Sequence, residues 1–239
     1  MKGIILTGGT GSRLMPLTKV INKNLLPLGN VPMIYHPIEL LKSAGITEIM
    51  LVTGTEHIGP LVAALGSGAE LGCDFTYKVQ DKPNGIAAAL KLCRKFIGEN
   101  TKFAVILGDN IFLDDLSDEI REFESDVNDC KLFLKAVNDP ERFGVAKLDV
   151  NDNIEEIIEK PKDPPTNFAV TGLYLYDSKF VFDIIDSLVP SFRGEYEISD
   201  VNCKFAKQKK CSSYKLKSDW IDAGTFESYH KANKLILGS

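Results

Sequence analysis

Short apolar runs alternate with helix-period segments through the first half of this 239-residue chain, and that alternation restricts the fold more than any other feature. Residues 3–7, 48–54, 75–80 and 103–107 read as buried strands. Residues 37–44, 58–65 and 86–96 lie between them, with apolar side chains at helical spacing. Strand–helix–strand steps of this length ask for right-handed crossovers, so the pattern predicts an α/β fold with a mainly parallel central sheet flanked by helices. Ligands of such sheets sit beyond the carboxyl ends of the strands.

Beyond Asp109 the rhythm loosens. Strands are expected at 132–137, 144–148, 154–159 and 170–176, separated by Pro-containing loops, which predicts a mixed, partly antiparallel extension. The Lys160-Pro161-Lys162-Asp163-Pro164-Pro165 stretch reads as a surface connection within one domain covering residues 1–239, with a first half over 1–110 and a second over 111–239. A helix is expected at 226–237.

Charge sets a limit on partners. With 28 basic and 33 acidic residues the net charge is -5, so nothing draws the whole chain to nucleic acid or an anionic membrane, and an anionic ligand has to be held locally. Five scattered cysteines without a C-x-x-C pair argue for reduced thiols rather than a disulfide framework or a zinc knuckle. The opening apolar run is too short for a secretion signal and no later run reaches spanning length, so a cytoplasmic protein is expected.

The run at 3–7 leads into Gly8-Gly9-Thr10-Gly11-Ser12-Arg13. Three glycines let backbone N–H groups close around a phosphate, and Arg13 adds a planar charged fork for the same anion. No Gly-Lys-Ser/Thr follows, so this is not a Walker loop, and Leu14 stands where a dinucleotide fingerprint needs its last glycine. A glycine cluster alone is also a common strand-to-helix turn. Lys23 follows ten residues on, in Asn22-Lys23-Asn24-Leu25-Leu26-Pro27-Leu28; alone it would read as solvated surface.

Taken together, Gly-Gly-x-Gly-x-Arg, then Lys, then Leu-Pro-Leu resembles the signature of the sugar-1-phosphate nucleotidyltransferases, in particular the short form of glucose-1-phosphate thymidylyltransferase. The resemblance runs nearly end to end, through Val79-Gln80-Asp81, Gly85-Ile86-Ala87, Leu107-Gly108-Asp109-Asn110, Glu141-Arg142-Phe143-Gly144-Val145, Glu159-Lys160-Pro161, Val170-Thr171-Gly172-Leu173-Tyr174, Glu197-Ile198-Ser199-Asp200 and Trp220-Ile221-Asp222-Ala223-Gly224-Thr225. Thr7 departs from it, standing where the family usually has alanine and crowding the nucleotide loop. The resemblance implies a Rossmann-like nucleotidyltransferase fold and Mg²⁺-dependent transfer of a thymidylyl group from dTTP to glucose 1-phosphate. The products would be pyrophosphate and dTDP-glucose, a precursor of cell-surface polysaccharide. It also implies homo-oligomerisation, and the longer members' added helical segments and auxiliary regulatory site are not expected here.

Carried over residue by residue, it implies catalytic roles for Arg13, Lys23 and Lys160. Nucleotide contacts would come from Leu6, Gly8, Gly9, Gly11, Gln80, Pro83, Gly85, Gly108 and Asp109. Sugar-phosphate contacts would come from Ile86, Leu107, Gly144, Glu159, Lys160, Val170, Thr171 and Trp220. Asp109, at the end of a buried strand, is well placed to offer a hard oxygen to Mg²⁺, and the resemblance supplies Asp222 as the second carboxylate. Each aspartate has a plainer reading as a turn former or helix cap. His36, His57 and His230 fit no ligand spacing and no triad. The competing readings are a transferase using UTP or another hexose 1-phosphate, and a non-catalytic nucleotide-sugar sensor. A dinucleotide oxidoreductase is disfavoured by the missing glycine.

Overall fold

In the computed structural model, which describes residues 1–238, the apolar runs become strands and the periodic segments become helices. The first half carries β1 (Lys2–Leu6), β2 (Pro27–Leu28), β3 (Val31–Pro32), α1 (Tyr35–Ser43), β4 (Glu48–Gly54), α2 (Ile58–Leu65), β5 (Asp74–Gln80), α3 (Ile86–Lys91), α4 (Arg94–Ile97) and β6 (Lys102–Leu107). The second carries β7 (Asn110–Phe112), α5 (Ser117–Glu122), β8 (Cys130–Ala136), β9 (Gly144–Leu148), β10 (Ile154–Glu159), β11 (Phe168–Asp177), α6 (Ser178–Asp186), α7 (Ile198–Lys207), β12 (Cys211–Lys215), β13 (Trp220–Asp222) and α8 (Phe226–Leu237). The single helix expected at 86–96 is two. Leu92 and Cys93 donate to carbonyls three residues back, and this tighter turn separates α3 from α4.

Two compact units emerge, with interleaved segments. One comprises Lys2–Pro83, Ile106–Asp118 and the stretch from Ser218 onward; the other comprises Asn84–Val105 and Glu119–Lys217, with Met1. The chain changes unit several times instead of dividing once near residue 110.

In the first unit β1, β4 and β5 run parallel, with Leu6 opposite Val52 and Gly54 opposite Gln80. Ile4, Ile5, Ile49 and Leu51 are fully buried, as expected of strands covered on both faces. The Gly108 N–H donates to the Leu6 carbonyl at 2.9 Å, which brings the end of β6 beside the end of β1. A small core of Leu28, Met33, Ile111, Ile221, Ala223 and Ala232 joins the β2–β3 hairpin, the β7–β13 ribbon and α8. Asn233 accepts the Gly29 N–H at 2.9 Å and the Tyr229 hydroxyl donates to the Pro27 carbonyl, so α8 clamps the hairpin that follows Lys23.

The second unit holds the expected antiparallel extension. β11 pairs with β8 and β9, β9 with β10, and β12 adds to β8 in parallel. Its centre is aromatic: Phe103 lies 5.9 Å from Tyr176 and 6.1 Å from Phe182, and Tyr176 lies 5.8 Å from Phe205, ring centre to ring centre. Such pairs add about 0.5–1.5 kcal/mol each beyond their burial. All five cysteines are free thiols. Among the described residues no helix is long and apolar enough to cross a membrane.

Thr225 caps α8 in a reciprocal box with Ser228. Thr225→Ala is therefore expected to cost about 1 kcal/mol of stability, read as a lower urea midpoint with an unchanged slope. An unchanged midpoint would show that the helix does not depend on this cap.

Candidate active site

The first unit gathers the glycine loop, Lys23 and both aspartates. β1 ends at Leu6 and the backbone turns through Gly9 and Gly11 at φ of 92° and 63°, a region that excludes most other residues. Thr18 fills the space beside Gly11, its hydroxyl donating to the Gly11 carbonyl at 2.7 Å. A Cβ on Gly8 would stand 3.6 Å from Gln80 Oε1, and one on Gly9 would stand 3.9 Å from Lys23 Nζ. The loop is thus flanked by an amide on one residue and an ammonium on the next. Pro83 is exposed beyond β5, whereas Leu6 is buried and Leu107 partly so.

Lys23 sits in a one-turn 3₁₀ helix and its Nζ is bonded to Asp109 Oδ2. Asp109 lies between β6 and β7, separated from β6 by Gly108 alone, so it caps no helix. Its other oxygen accepts from Asn110 Nδ2 at 3.1 Å. Burial pushes the Asp109 carboxyl up, but the charge and hydrogen bond of Lys23 and the bond from Asn110 outweigh that and hold it below the usual carboxylate range.

The β7–β13 ribbon brings Asp222 opposite Asn110, and the Ala223 N–H donates to the Asp109 carbonyl at 2.9 Å. Asp222 Oδ1 accepts the Gly224 N–H at 3.0 Å, while α8 is capped by Thr225, so the plainer reading of Asp222 as the cap is removed. A Cβ on Gly224 would stand 2.8 Å from Asp222 Oδ1 and 3.0 Å from Arg13 Nη2, which places the guanidinium beside that carboxylate. Burial first, and the charge of Asp109 second, push the Asp222 carboxyl up; Lys23 and Arg13 offset this in part. Trp220 is buried in the same ribbon with its Nε1 donating to Asn110 Oδ1 at 2.7 Å, a bond that steadies the residue after Asp109.

Thr7 does not crowd the glycine loop as expected. Its hydroxyl donates to the Val52 carbonyl at 3.0 Å, and its methyl lies 3.1 Å from where a Cβ on Gly108 would be. The crowding falls on Gly108, which has no side chain to be crowded.

The second unit gathers a different set. Gly144 and Glu159 are register partners at the ends of β9 and β10. Ser199, on α7, donates to Glu159 Oε2, and its hydroxyl occupies the space above Gly144. Lys160, in a left-handed conformation at φ 43°, places Nζ 3.3 Å from Glu159 Oε1. Val170 and Thr171 lie where the pairing of β11 with β8 slips, between Val170 and Tyr174. The Thr171 hydroxyl is buried without a partner, an atom that asks for one. Gly85, at φ 109°, passes so close to Tyr196 that a Cβ would stand 2.7 Å from its nitrogen, and Ile86 then opens α3.

The whole of residues 2–239 matches the nucleotidyl transferase family model. The chain belongs to this family. The expected kinship with glucose-1-phosphate thymidylyltransferases is seen in the relatives as well. The enzyme of that name from Neisseria gonorrhoeae is 41% identical over 239 residues, covering 99% of this chain and 82% of the relative. The low-salt glycan biosynthesis nucleotidyltransferase Agl11 of Haloferax volcanii is 40% identical over 238 residues, 99% of this chain and 66% of the relative. A solved Bacillus anthracis protein, assigned as a glucose-1-phosphate thymidylyltransferase and complexed with sucrose, is 54% identical with a TM-score of 0.93, covering 98% of this chain and 94% of that one. A UDP-glucose pyrophosphorylase complexed with UDP-glucose has a TM-score of 0.88 at 25% identity, over 99% and 98%.

This nucleotidyl transferase also places residues that motif reading passed over. Arg193 bonds Glu195 at 2.9 Å and Glu197 at 3.0 Å, and reaches to 3.9 Å from Glu159. The Glu197–Asp200 run is legible as a family stretch, but nothing local marks an arginine in a polar loop as the partner of a glutamate at the end of a distant strand.

Since Asp222 is pushed up by burial and by its like-charged neighbour, its ionised form opposes folding as pH rises above the ordinary carboxylate range. Asp222→Asn is expected to raise the melting temperature at pH 7 in metal-free buffer by about 2–4 °C, the shift that roughly 1 kcal/mol makes in a chain of this length. A lower melting temperature would mean that the bond from Gly224 and the attraction of Arg13 and Lys23 outweigh the burial and the repulsion.

Proposed function

We propose that the protein transfers a thymidylyl group from dTTP to glucose 1-phosphate, releasing pyrophosphate. The observation that carries the proposal is the buried Lys23–Asp109 pair beside Gly9, with Asp222 and Arg13 meeting next to it. In one unit this supplies a glycine-lined anion loop, two cations and two carboxylates. The other unit offers Glu159, Lys160, Arg193 and the unpartnered Thr171 hydroxyl, a set suited to a polyhydroxylated ligand that carries a phosphate.

Two like-charged, half-dry carboxylates fit a hard divalent cation, whose charge would offset the burial and, after it, the repulsion that raise Asp222. Among the described residues no three His, Cys, Asp or Glu side chains form a metal cluster, so substrate oxygens and water would complete the coordination of Mg²⁺ held by Asp109 and Asp222. When bound, Mg²⁺ supplies charge neutralisation on the transferring phosphate.

The chemistry asks little else of the protein. A phosphate oxygen of the sugar phosphate forms a bond to the α-phosphorus as the bond from that phosphorus to the bridging oxygen breaks, and pyrophosphate leaves with the electron pair. The nucleophile is already an anion and needs no general base. The glycine loop and Arg13 hold the terminal phosphates, Lys23 offsets charge near the reacting centre, and Lys160 holds the incoming phosphate. Glu159 accepts hydrogen bonds from sugar hydroxyls with Ser199 fixing its orientation. A second reading, UTP as donor, is supported by the likeness to the UDP-glucose pyrophosphorylase.

Pyrophosphate release with Mg²⁺ and glucose 1-phosphate, comparing dTTP, UTP, CTP, GTP and ATP, tests the proposal. Fastest release with dTTP is expected; fastest release with UTP would move the second reading to first place, and no release with any triphosphate would refute both. Lys23→Ala and Asp109→Ala should each lower turnover on the order of 10²–10³-fold, as loss of one preorganised charge does. Glu159→Gln should raise KM for glucose 1-phosphate about 10–100-fold, the worth of a charged hydrogen bond, while KM for the triphosphate holds.

A further inference from the structure

Asn24 follows Lys23 directly and is fully buried. Its Nδ2 donates to the Thr7 carbonyl at 3.1 Å and to Asn22 Oδ1 at 3.0 Å. Its backbone N–H donates to the same Asn22 oxygen at 2.8 Å, and its carbonyl accepts the Ile34 N–H at 2.8 Å. Its Oδ1 lies against Gly108, 2.8 Å from where a Cβ on that residue would stand. One side chain therefore touches the last residue before the glycine loop, the last residue before Asp109, and the turn that carries Lys23.

The turn itself does not need these contacts. It closes through backbone bonds, Leu25 N–H to the Asn22 carbonyl at 2.9 Å and Leu26 N–H to the Lys23 carbonyl at 3.2 Å. The Asn24 side chain decides instead where the closed turn sits relative to β1 and to Gly108. A leucine or alanine at this position could still form the turn, but it would leave the Thr7 carbonyl without the amide that anchors the turn to it.

We infer that Asn24 is a positioning residue for the proposed transfer, holding Lys23 on Asp109 by tying the Lys23 turn to the end of β1. The inference rests on the roles given above to Lys23 and Asp109. Asn24 acts through the backbone, not by touching substrate, and a misplacement of about 1 Å in a group that aligns the reacting phosphates costs on the order of 10²-fold in rate.

Steady-state kinetics on Lys23→Ala, Asn24→Ala and the double variant, with glucose 1-phosphate and the triphosphate that the wild-type enzyme turns over, test it. Asn24→Ala is expected to lower kcat on the order of 10²-fold while both KM values stay within about threefold. The double variant is expected to be no slower than Lys23→Ala alone, because a residue that acts only through Lys23 has nothing left to position. Normal kcat in Asn24→Ala, or a double variant whose loss is the product of the two single losses, would overturn the inference. Should Asn24→Ala fail to fold, Asn24→Leu keeps the shape beside Gly108, loses the hydrogen bonds and is judged by the same criteria. Normal turnover in Lys23→Ala would refute the assignment of Lys23 itself and the inference with it; a crippled Lys23→Ala beside a normal Asn24→Ala would refute the positioning role alone.

Discussion

The Lys23–Asp109 ion pair is the interaction on which the first unit is organised. Its two side chains are only 15% and 9% exposed, so both charges have left most of their water. A pair of this kind contributes little net stability, because desolvation consumes much of the Coulomb attraction, but loss of either partner leaves an uncompensated charge. The elements around it are arranged accordingly. β1 delivers the glycine loop to one side, β6 delivers Asp109, and the one-turn helix after Asn22 delivers Lys23. A fixed pair of opposite charges beside a glycine loop is a preorganised environment, in which the reorganisation that water would need has already been made by folding.

Asp222 and Arg13 extend the same logic. Two carboxylates forced near each other in a half-dry place are unfavourable, and the raised Asp222 carboxyl records that cost. The β7–β13 ribbon sustains it through the shared core with α8, where apolar packing of Leu28, Ile111, Ile221 and Ala232 holds the backbone of both aspartates. The second unit is charged in a similar style. Arg193 is surrounded by Glu159, Glu195 and Glu197, and Glu159 is shared among Ser199, Lys160 and Arg193. Arg193, Glu159 and Glu197 each have more than one partner, which narrows the rotamers open to them.

Several elements were legible in the sequence because local pattern and tertiary environment agree. β4, β9, β10, α2 and α8 fall on the expected residues, each a stretch with a clear period and a turn or cap at its ends. The elements that were not legible have physical reasons. α6 contains Phe180, Val181 and Phe182 in a row, a run that suits a strand as well as a helix until Asp177 is seen capping it through the Lys179 N–H. β12, Cys-Ser-Ser-Tyr-Lys, has almost no apolar pattern and is a strand because β8 offers it a pairing edge. β7 and β13, three residues each, exist only as each other's partner.

The sequence by itself determined the parallel α/β order, the glycine turn with its positive φ angles, and the residue types able to bind phosphate and a hard cation, since these depend on local chemistry and on periods of two and 3.6 residues. Tertiary structure alone decided that Lys23 pairs with a carboxylate 86 residues away, that Asp222 lies beside Arg13, that Arg193 reaches Glu159, and that Asn24 joins three backbone segments. It also decided that the chain crosses between two units several times instead of once. Those outcomes depend on contacts between residues far apart in sequence, and no local propensity encodes a distance across the fold.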